Sequence, residues 1–217
     1  VGGGAHTVEP GAPGAPVLVS RTKPTEQYHV ALGGKGLDRS DSRRHAMAVL
    51  DTILGGSMSS RLFQEIRERR GLAYSVGTYS VGYADTGQVG VYLGTREDNL
   101  VEAAEVMARE LRRMGEELVP AAELTRAKEH LKGRLVLSLE SPSTRMHRNG
   151  RAVLTETELL DIDEIVERIE AVTADDVQAL GSEFWDPSRL SVAAIGPSED
   201  AVRSAAERLS PNLVEAA

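Results

Sequence analysis

The hydrophobic pattern of the chain is first typical of strands, then of helices, and at the end of a strand again. This order of elements constrains the fold more than any other feature of the sequence. Short apolar or alternating runs at about 17–22, 27–32, 73–81 and 88–93 are typical of β-strands. After these runs the apolar residues recur at steps of three and four, as they do along helices, until a last apolar run at 190–195. Strands, then a block of helices, then a strand that must return to the sheet together predict an α+β fold.

The first two predicted strands lie close together in the sequence. Pro24 separates the run at 17–22 from the run at 27–32, which ends in Gly33-Gly34. Two such runs divided by a short turn-forming segment predict a β-hairpin. We therefore expect these two strands to be neighbours in the sheet.

Several helix starts are marked by residues that cap helices. Ser40 or Asp41 is expected to cap the first helix, because either side chain can accept a hydrogen bond from the first turn. Thr173 has Asp176 three residues later, which predicts a capping box at the start of another helix. Ser198 is placed to cap the last helix.

Composition excludes several classes of protein. At 217 residues the chain fits one large domain or two small ones, and the absence of cysteine excludes disulfides and thiolate zinc sites. A formal charge of −8 argues against a nucleic-acid partner, since such binding depends on Lys and Arg at phosphates. No apolar run approaches the roughly 20 residues that span a bilayer, and no signal peptide is visible. We therefore expect no membrane partner and a cytoplasmic location.

The first sixteen residues differ from the rest of the chain. Residues 1–16 are rich in Gly, Pro and Ala and carry no hydrophobic period. This composition predicts a flexible linker. The folded domain is accordingly expected to span 17–217.

The sequence contains no self-contained active site. A protein zinc site needs three or more His, Asp, Glu or Cys side chains at one point, and no two histidines lie within a helical turn of each other. A Gly-x-Ser-x-Gly nucleophile elbow is absent as well. We predict that this chain alone binds no zinc and is inactive. The histidines are His6, His29, His45, His130 and His147.

The segment LGGSMSSRLFQEIRERRGLAYSV, at 54–76, predicts a short helix, a glycine break and a strand. The apolar stripe of this helix consists of Leu62, Phe63 and Ile66, and we expect it to be buried against the sheet. Gly71 suits the left-handed position that follows the last turn of a helix.

Two polar residues of this segment are candidates for chemistry. Arg67 borders the apolar stripe, and Tyr74 lies at the start of the following strand. A helix end that folds back along its next strand can bring these two positions to the same rim. A guanidinium and a phenol held there offer hydrogen-bond donors to a peptide carbonyl or to a developing oxyanion.

The same segment closely resembles the C-terminal half of the insulinase, pitrilysin and mitochondrial-processing-peptidase-like zinc metallopeptidases. The resemblance extends over nearly the whole chain after residue 17. Its other parts, which keep the family's order and spacing, are GVYLGT at 90–95, LKGRLVLSLES at 131–141, IEAVTADDV at 169–177 and RLSVAAIGP at 189–197.

The resemblance implies a largely antiparallel sheet covered on one face by helices, in one of two homologous halves that enclose a chamber. The family binds zinc in the other half through a His-x-x-Glu-His motif, and this sequence has no such motif. Arg67 and Tyr74 match an arginine and a tyrosine, seven residues apart, that reach the substrate near the zinc. The implied function is the C-terminal, substrate-binding half of a zinc-dependent endopeptidase, in which this pair positions the substrate and stabilises the oxyanion.

The resemblance also implies the partners, which are a homologous zinc-binding N-terminal half or partner subunit and a peptide substrate. A homodimer stays open as an alternative assembly. Two alternative functions stay open as well, a non-catalytic scaffold or regulatory subunit of the same fold and an unrelated small-ligand binding domain. The second of these has no pocket-lining motif to support it.

Overall fold

The structure is a computed structural model that describes residues 15–210 and 212–215. The linker expected at 1–16 lies almost wholly outside the described residues, so this domain boundary stays a prediction. The strands are β1 (Val17–Thr22), β2 (Tyr28–Gly36), β3 (Ala73–Gly82), β4 (Gly87–Thr95), β5 (Ser191–Gly196) and β6 (Val214–Glu215). The helices are α1 (Arg44–Leu54), α2 (Glu97–Glu116), α3 (Ala121–Ser138), α4 (Pro142–Leu154), α5 (Ile162–Glu170), α6 (Ala174–Phe184) and α7 (Glu199–Leu209).

The strands form one sheet in the order β3-β4-β2-β5-β1-β6. β1 pairs in parallel with β5 and with β6, and the other pairings are antiparallel. The largely antiparallel sheet that the resemblance implies is therefore confirmed.

The helices cover one face of this sheet. Alternate residues of the central strands, such as Leu32, Val91 and Val192, are at most 2% exposed and belong to the same core as buried residues of α1, α2, α6 and α7. The residues between them point to the other face, where Tyr92 and Ile195 are more than a third exposed. The alternation follows from the period of two along a strand, and the helix-covered face is confirmed.

The predicted hairpin at the start of the chain is wrong. β5 lies between β1 and β2, so that Val192 is paired with Leu18 on one side and with Leu32 on the other. Consecutive strands are neighbours only about two times in three, and the pattern of apolar residues does not say which strands pair. The last long strand instead returns to the middle of the sheet.

The cap predicted for α1 is also wrong. The helix begins at Arg44 with Arg43 as its N-cap residue, and no side chain caps it. Asp41 accepts hydrogen bonds from the amide and the guanidinium of Arg43, because the chain makes a turn before the helix starts. The capping box of Thr173 with Asp176 is confirmed.

One helix differs from the others in its packing. α4 contributes no buried residue, and among the described residues it makes no extensive contact with another helix or strand. It is held by its ends, where Ser141 caps its first turn and the flanking Leu139 and Leu160 are buried. In the part of the chain that the structure describes, no helix is long and apolar enough to cross a membrane.

Candidate functional site

The candidate site is built on the segment that joins α1 to β3. Phe63–Glu68 is wound as a π-helix, with the amide of Arg69 donating to the carbonyl of Gln64 over 2.9 Å. π-helical turns are rare and occur mostly at functional sites. The sequence predicted a helix here but gave no signal for this wider winding.

Two of the three residues in the predicted apolar stripe anchor this segment. Leu62 and Ile66 are fully buried, which confirms that part of the prediction. Phe63 is only partly buried, so the prediction is wrong for this residue. Its ring lies beneath a guanidinium at the surface instead of in the core.

Gly71 ends the segment in the predicted left-handed conformation, with φ of +61°. The amide of Gly71 donates to the carbonyl of Arg67 over 3.1 Å, and that of Leu72 donates to Ile66 over 2.8 Å. These two bonds satisfy carbonyls that the end of a helix leaves free. They also turn the chain directly into β3, so the helix end lies beside the strand that follows it.

Tyr74 lies at a β-bulge. Ala73 is paired with Thr95 and Ser75 with Gly94, which leaves Tyr74 as one extra residue in β3. A bulge re-aims the side chain that it carries. The side chain of Tyr74 is 76% exposed.

The structure brings the two predicted site residues into contact. The guanidinium carbon of Arg67 lies 4.4 Å from the ring centroid of Tyr74 and 4.7 Å from that of Phe63. Arg67 Nη1 also donates to the backbone carbonyl of Tyr74 over 3.3 Å. Two rings and one carbonyl therefore fix the position of the guanidinium, since a cation is attracted to the face of an aromatic ring.

Phe63 was missed as a site residue. It lies four residues before Arg67, a spacing that places an aromatic ring and a cation on the same side of a helix. That spacing is a signal that could have found it. Assigning Phe63 to the buried stripe concealed its contact with the guanidinium.

Arg67 differs from its neighbouring arginines in the partners that it has. Arg61 makes a two-pronged pair with Glu123 of α3, at 2.9 and 2.8 Å, and Arg69 pairs with Glu65. The carboxylate closest to Arg67 belongs to Glu68, whose Oε1 lies 3.6 Å from Nε. Within the described residues the side chain of Arg67 makes one hydrogen bond, so most of its donors are available to a ligand.

A second polar pair lies on the open face of the sheet, on strands β2 and β4. His29 Nδ1 lies 2.6 Å from the hydroxyl of Tyr92, and that hydroxyl overlies Gly94, the residue opposite Ser75. The sequence gave no reason to single out His29, which was treated as an ordinary histidine.

A zinc ion does not fit the described residues. They contain no group of three or more His, Cys, Asp or Glu side chains that could hold a metal. His6 lies outside the described residues. The chemistry that this site can supply is therefore hydrogen bonding and positive charge.

Comparison with known proteins places the chain in a family. Residues 5–131 match the family described as the peptidase M16 inactive domain. Uncharacterized zinc proteases from Streptomyces coelicolor and Bacillus subtilis are 44% and 39% identical to this chain, over 91% and 83% of its length. The chain spans only 42% and 44% of the lengths of these two relatives.

Solved structures show the same fold. A peptidase M16 inactive domain from Pseudomonas fluorescens is 24% identical, with a TM-score of 0.74 over 85% of this chain and 44% of the solved one. A chain of complex III2 from Candida albicans is 20% identical, with a TM-score of 0.74 over 90% of this chain and 49% of its own length. The order of elements and the family match agree, and the chain belongs to the peptidase M16 inactive-domain family.

Proposed function

We propose that this chain is the C-terminal, substrate-binding half of a zinc-dependent endopeptidase whose metal site lies in another half. The observation that carries the proposal is the guanidinium of Arg67, which is held between two aromatic rings and keeps most of its donors unused. A fixed cation beside an exposed phenol is an arrangement suited to binding a peptide carbonyl. The zinc protease names of the relatives support the same class of reaction.

The pair acts on the carbonyl oxygen of the scissile peptide. Arg67 and the hydroxyl of Tyr74 donate hydrogen bonds to this oxygen, and they bind it more tightly as it gains negative charge. Donors that are already in place need no reorganisation during the reaction, which makes such stabilisation effective. The zinc of the other half supplies an activated water.

Activity on this proposal requires both halves. The described residues hold no cluster that fits zinc, and the chain spans less than half the length of its zinc protease relatives. Residues 1–16 then serve as the connection to the other half, and the cytoplasm is the proposed location. The isolated chain is expected to hydrolyse no peptide.

A non-catalytic scaffold or regulatory subunit is the second candidate function. One observation favours it, which is that the matched family is described as an inactive domain. The Arg67–Tyr74 pair supports the peptidase half instead, since a scaffold has no need for a cation held ready at the surface.

Kinetics of the complete protein, with its zinc-binding half present, test the proposal. Arg67→Ala is expected to lower kcat by about 10²–10³-fold, the scale for loss of one preorganised donor, and Tyr74→Phe is expected to act in the same direction. Zinc content and folding should not change. Arg69→Ala is the matched control, because Arg69 lies two residues away, is 67% exposed and pairs with Glu65.

The division between kcat and KM shows what the pair does. A fall in kcat assigns it to the transition state, and a rise in KM alone assigns it to ground-state binding. Equal activity of Arg67→Ala and Arg69→Ala would overturn the proposed role of the pair. Failure of the complete protein to hydrolyse any peptide would favour the scaffold.

A further inference from the structure

α4 presents its apolar side chains away from its own domain. Arg148 and Ala152 are the only residues of this helix that are not fully exposed, and Arg148 donates a hydrogen bond to the carbonyl of Leu160. At 100° per residue, Met146 and Val153 lie on the opposite side of the helix from this pair. The side that faces the domain is therefore polar or small, and the apolar side faces solvent.

The exposed apolar surface is large for a single helix. Met146, Val153 and Leu154 are 65%, 73% and 86% exposed. α3 ends four residues before α4 begins, and its last turn adds Val136 and Leu137, both more than half exposed. We call these five exposed side chains, three on α4 and two on the last turn of α3, the α4 surface. Apolar patches of this kind mark interaction sites in soluble proteins.

The α4 surface is not needed to hold the helix on its own domain. A helix of thirteen residues is marginal in water unless an apolar face is packed. α4 forms here through its capped first turn and its buried flanks, while its apolar side is left unused. An amphipathic helix in this state is typical of one that packs on a second surface.

The charges of α4 indicate which charged groups the second surface must have. Arg145, Arg148 and Arg151 lie on the helix, and no Asp or Glu occurs between 141 and 155, although the whole chain has a formal charge of −8. Among the described residues none of these arginines forms an ion pair. An apolar groove rimmed by carboxylates complements this combination.

We propose that the α4 surface docks the zinc-binding half of the complete protein. The inference rests on the proposed function, because it takes that half as the occupant. The relatives are more than twice as long as the matched part of this chain, so more than half of such a protein lies outside this domain. The occupant presents an apolar groove with acidic groups along its rim.

A second copy of this chain fits the α4 surface less well. A two-fold interface brings the same patch of both copies together. Two copies of α4 would then bring two sets of three arginines close to each other with no acidic residue on either helix. Such like-charge contacts oppose association.

Hydrogen exchange provides the test. In this chain alone the amides of 145–154 should exchange rapidly, and in the complete protein they should slow by about tenfold or more, because packing protects a helix from opening. The protection of α2 should be the same in both. Equal exchange of α4 in the two samples would overturn the proposal.

Variants connect this protection to the apolar side chains. Met146→Glu combined with Val153→Glu should abolish the protection of α4 in the complete protein, without changing the circular dichroism of this chain alone. Leu118→Glu is the matched control, since Leu118 is 55% exposed and lies beyond the far end of α3, roughly 27 Å along the helix axis. Protection that survives in the double variant would contradict the proposal. Protection of the isolated chain that rises with its concentration would assign the surface to a second copy and overturn it too.

Peptidase activity separates this proposal from the proposed function. Arg67→Ala should lower kcat by about 10²–10³-fold and leave the protection of α4 intact. A complete protein that protects α4 but hydrolyses no peptide supports the docking and overturns the peptidase. A complete protein that hydrolyses peptides while α4 exchanges as fast as in the isolated chain overturns the docking alone.

Discussion

The π-helical segment and α4 are two short amphipathic segments that lie among arginines. They differ in whether their apolar side chains are buried. The π-helical segment packs Ile66 into the core with no exposure, whereas α4 leaves Val153 73% exposed. Arg61 and Arg69, which flank the first segment, are paired with glutamates. The arginines of α4 have no such partner among the described residues. The domain therefore fixes the contact between Arg67 and Tyr74 by itself and leaves the apolar side chains of α4 exposed.

The largest difference should appear when one apolar side chain in each segment is shortened. Ile66→Ala is expected to lower the free energy of unfolding by about 2–5 kcal/mol, because it opens a cavity in a packed core. Val153→Ala in the isolated chain should change it by less than about 0.5 kcal/mol, as exposed positions do. Denaturation in urea measures both. Similar losses of the free energy of unfolding in the two variants would contradict the difference between the buried segment and α4.

Glycine replacements after the π-helical segment and before α4 should change stability in opposite directions. Gly71→Ala should destabilise the chain by about 1–2 kcal/mol, since a Cβ at φ of +61° meets its own backbone, although it has open space around it. Gly133→Ala, in α3 beside the α4 surface, also meets nothing within 4 Å. It should stabilise the chain by about 0.5–1 kcal/mol, because alanine is the better helix former. Destabilisation by both variants would contradict the gain in stability expected for Gly133→Ala.

Removing a ring from the site should have a smaller effect, seen in kinetics. Phe63→Leu deletes one of the two faces that hold Arg67, a contact worth about 0.5–1 kcal/mol, so kcat/KM of the complete protein should fall about two- to fivefold. Phe184→Leu is the matched control, because the ring of Phe184 contacts Arg43 at 5.9 Å, away from the site. Equal values of kcat/KM for the two variants would show that Phe63 does not contribute to the site.

The last expected effect concerns the pH dependence of stability. Burial, together with the charges of Arg44 and Arg168, lowers the pKa of His45 to about 4 against the opposing charge of Glu158. The unfolded chain takes up this proton near pH 6.5. Between pH 6.5 and about 4 the unfolded state therefore binds more protons, and the free energy of unfolding falls as the pH falls. His45→Gln should reduce this fall in urea titrations at several pH values, and an unchanged fall in this variant would contradict the prediction.

Local features of the sequence predicted local structure well. The periods gave the strands and helices, the conformation of Gly71 followed from its position after a helix, and the Thr173 capping box followed from residue spacing. Each of these depends on residues within a few positions of one another. The contact between Arg67 and Tyr74 belongs here too, since one helix end and one glycine turn produce it.

The failures all involve partners distant in sequence or a choice between two local bonds. The hairpin prediction failed because β5 is more than 150 residues from β2 and nothing near Pro24 indicates it. The side chain of Asp41 could accept a hydrogen bond from the first turn of α1 or from Arg43. The turn that the chain makes before α1 selects the bond with Arg43. The amide of Arg69 bonds to the carbonyl of Gln64 and not to that of Glu65, and periodicity does not distinguish these two local bonds.

The position of β5 has a consequence for how the protein is made. β5 pairs with β1 across about 174 residues, and it also supplies the second neighbour of β2. A growing chain that has not reached residue 196 therefore lacks the centre of its sheet, and β2 presents an unpaired edge. Pairing over such a span makes folding slow, because closing the long loop costs conformational entropy before the stabilising contacts between the strands can form. The emergence of β5 from the ribosome, rather than that of the Arg67–Tyr74 segment, sets the earliest moment at which this sheet can close.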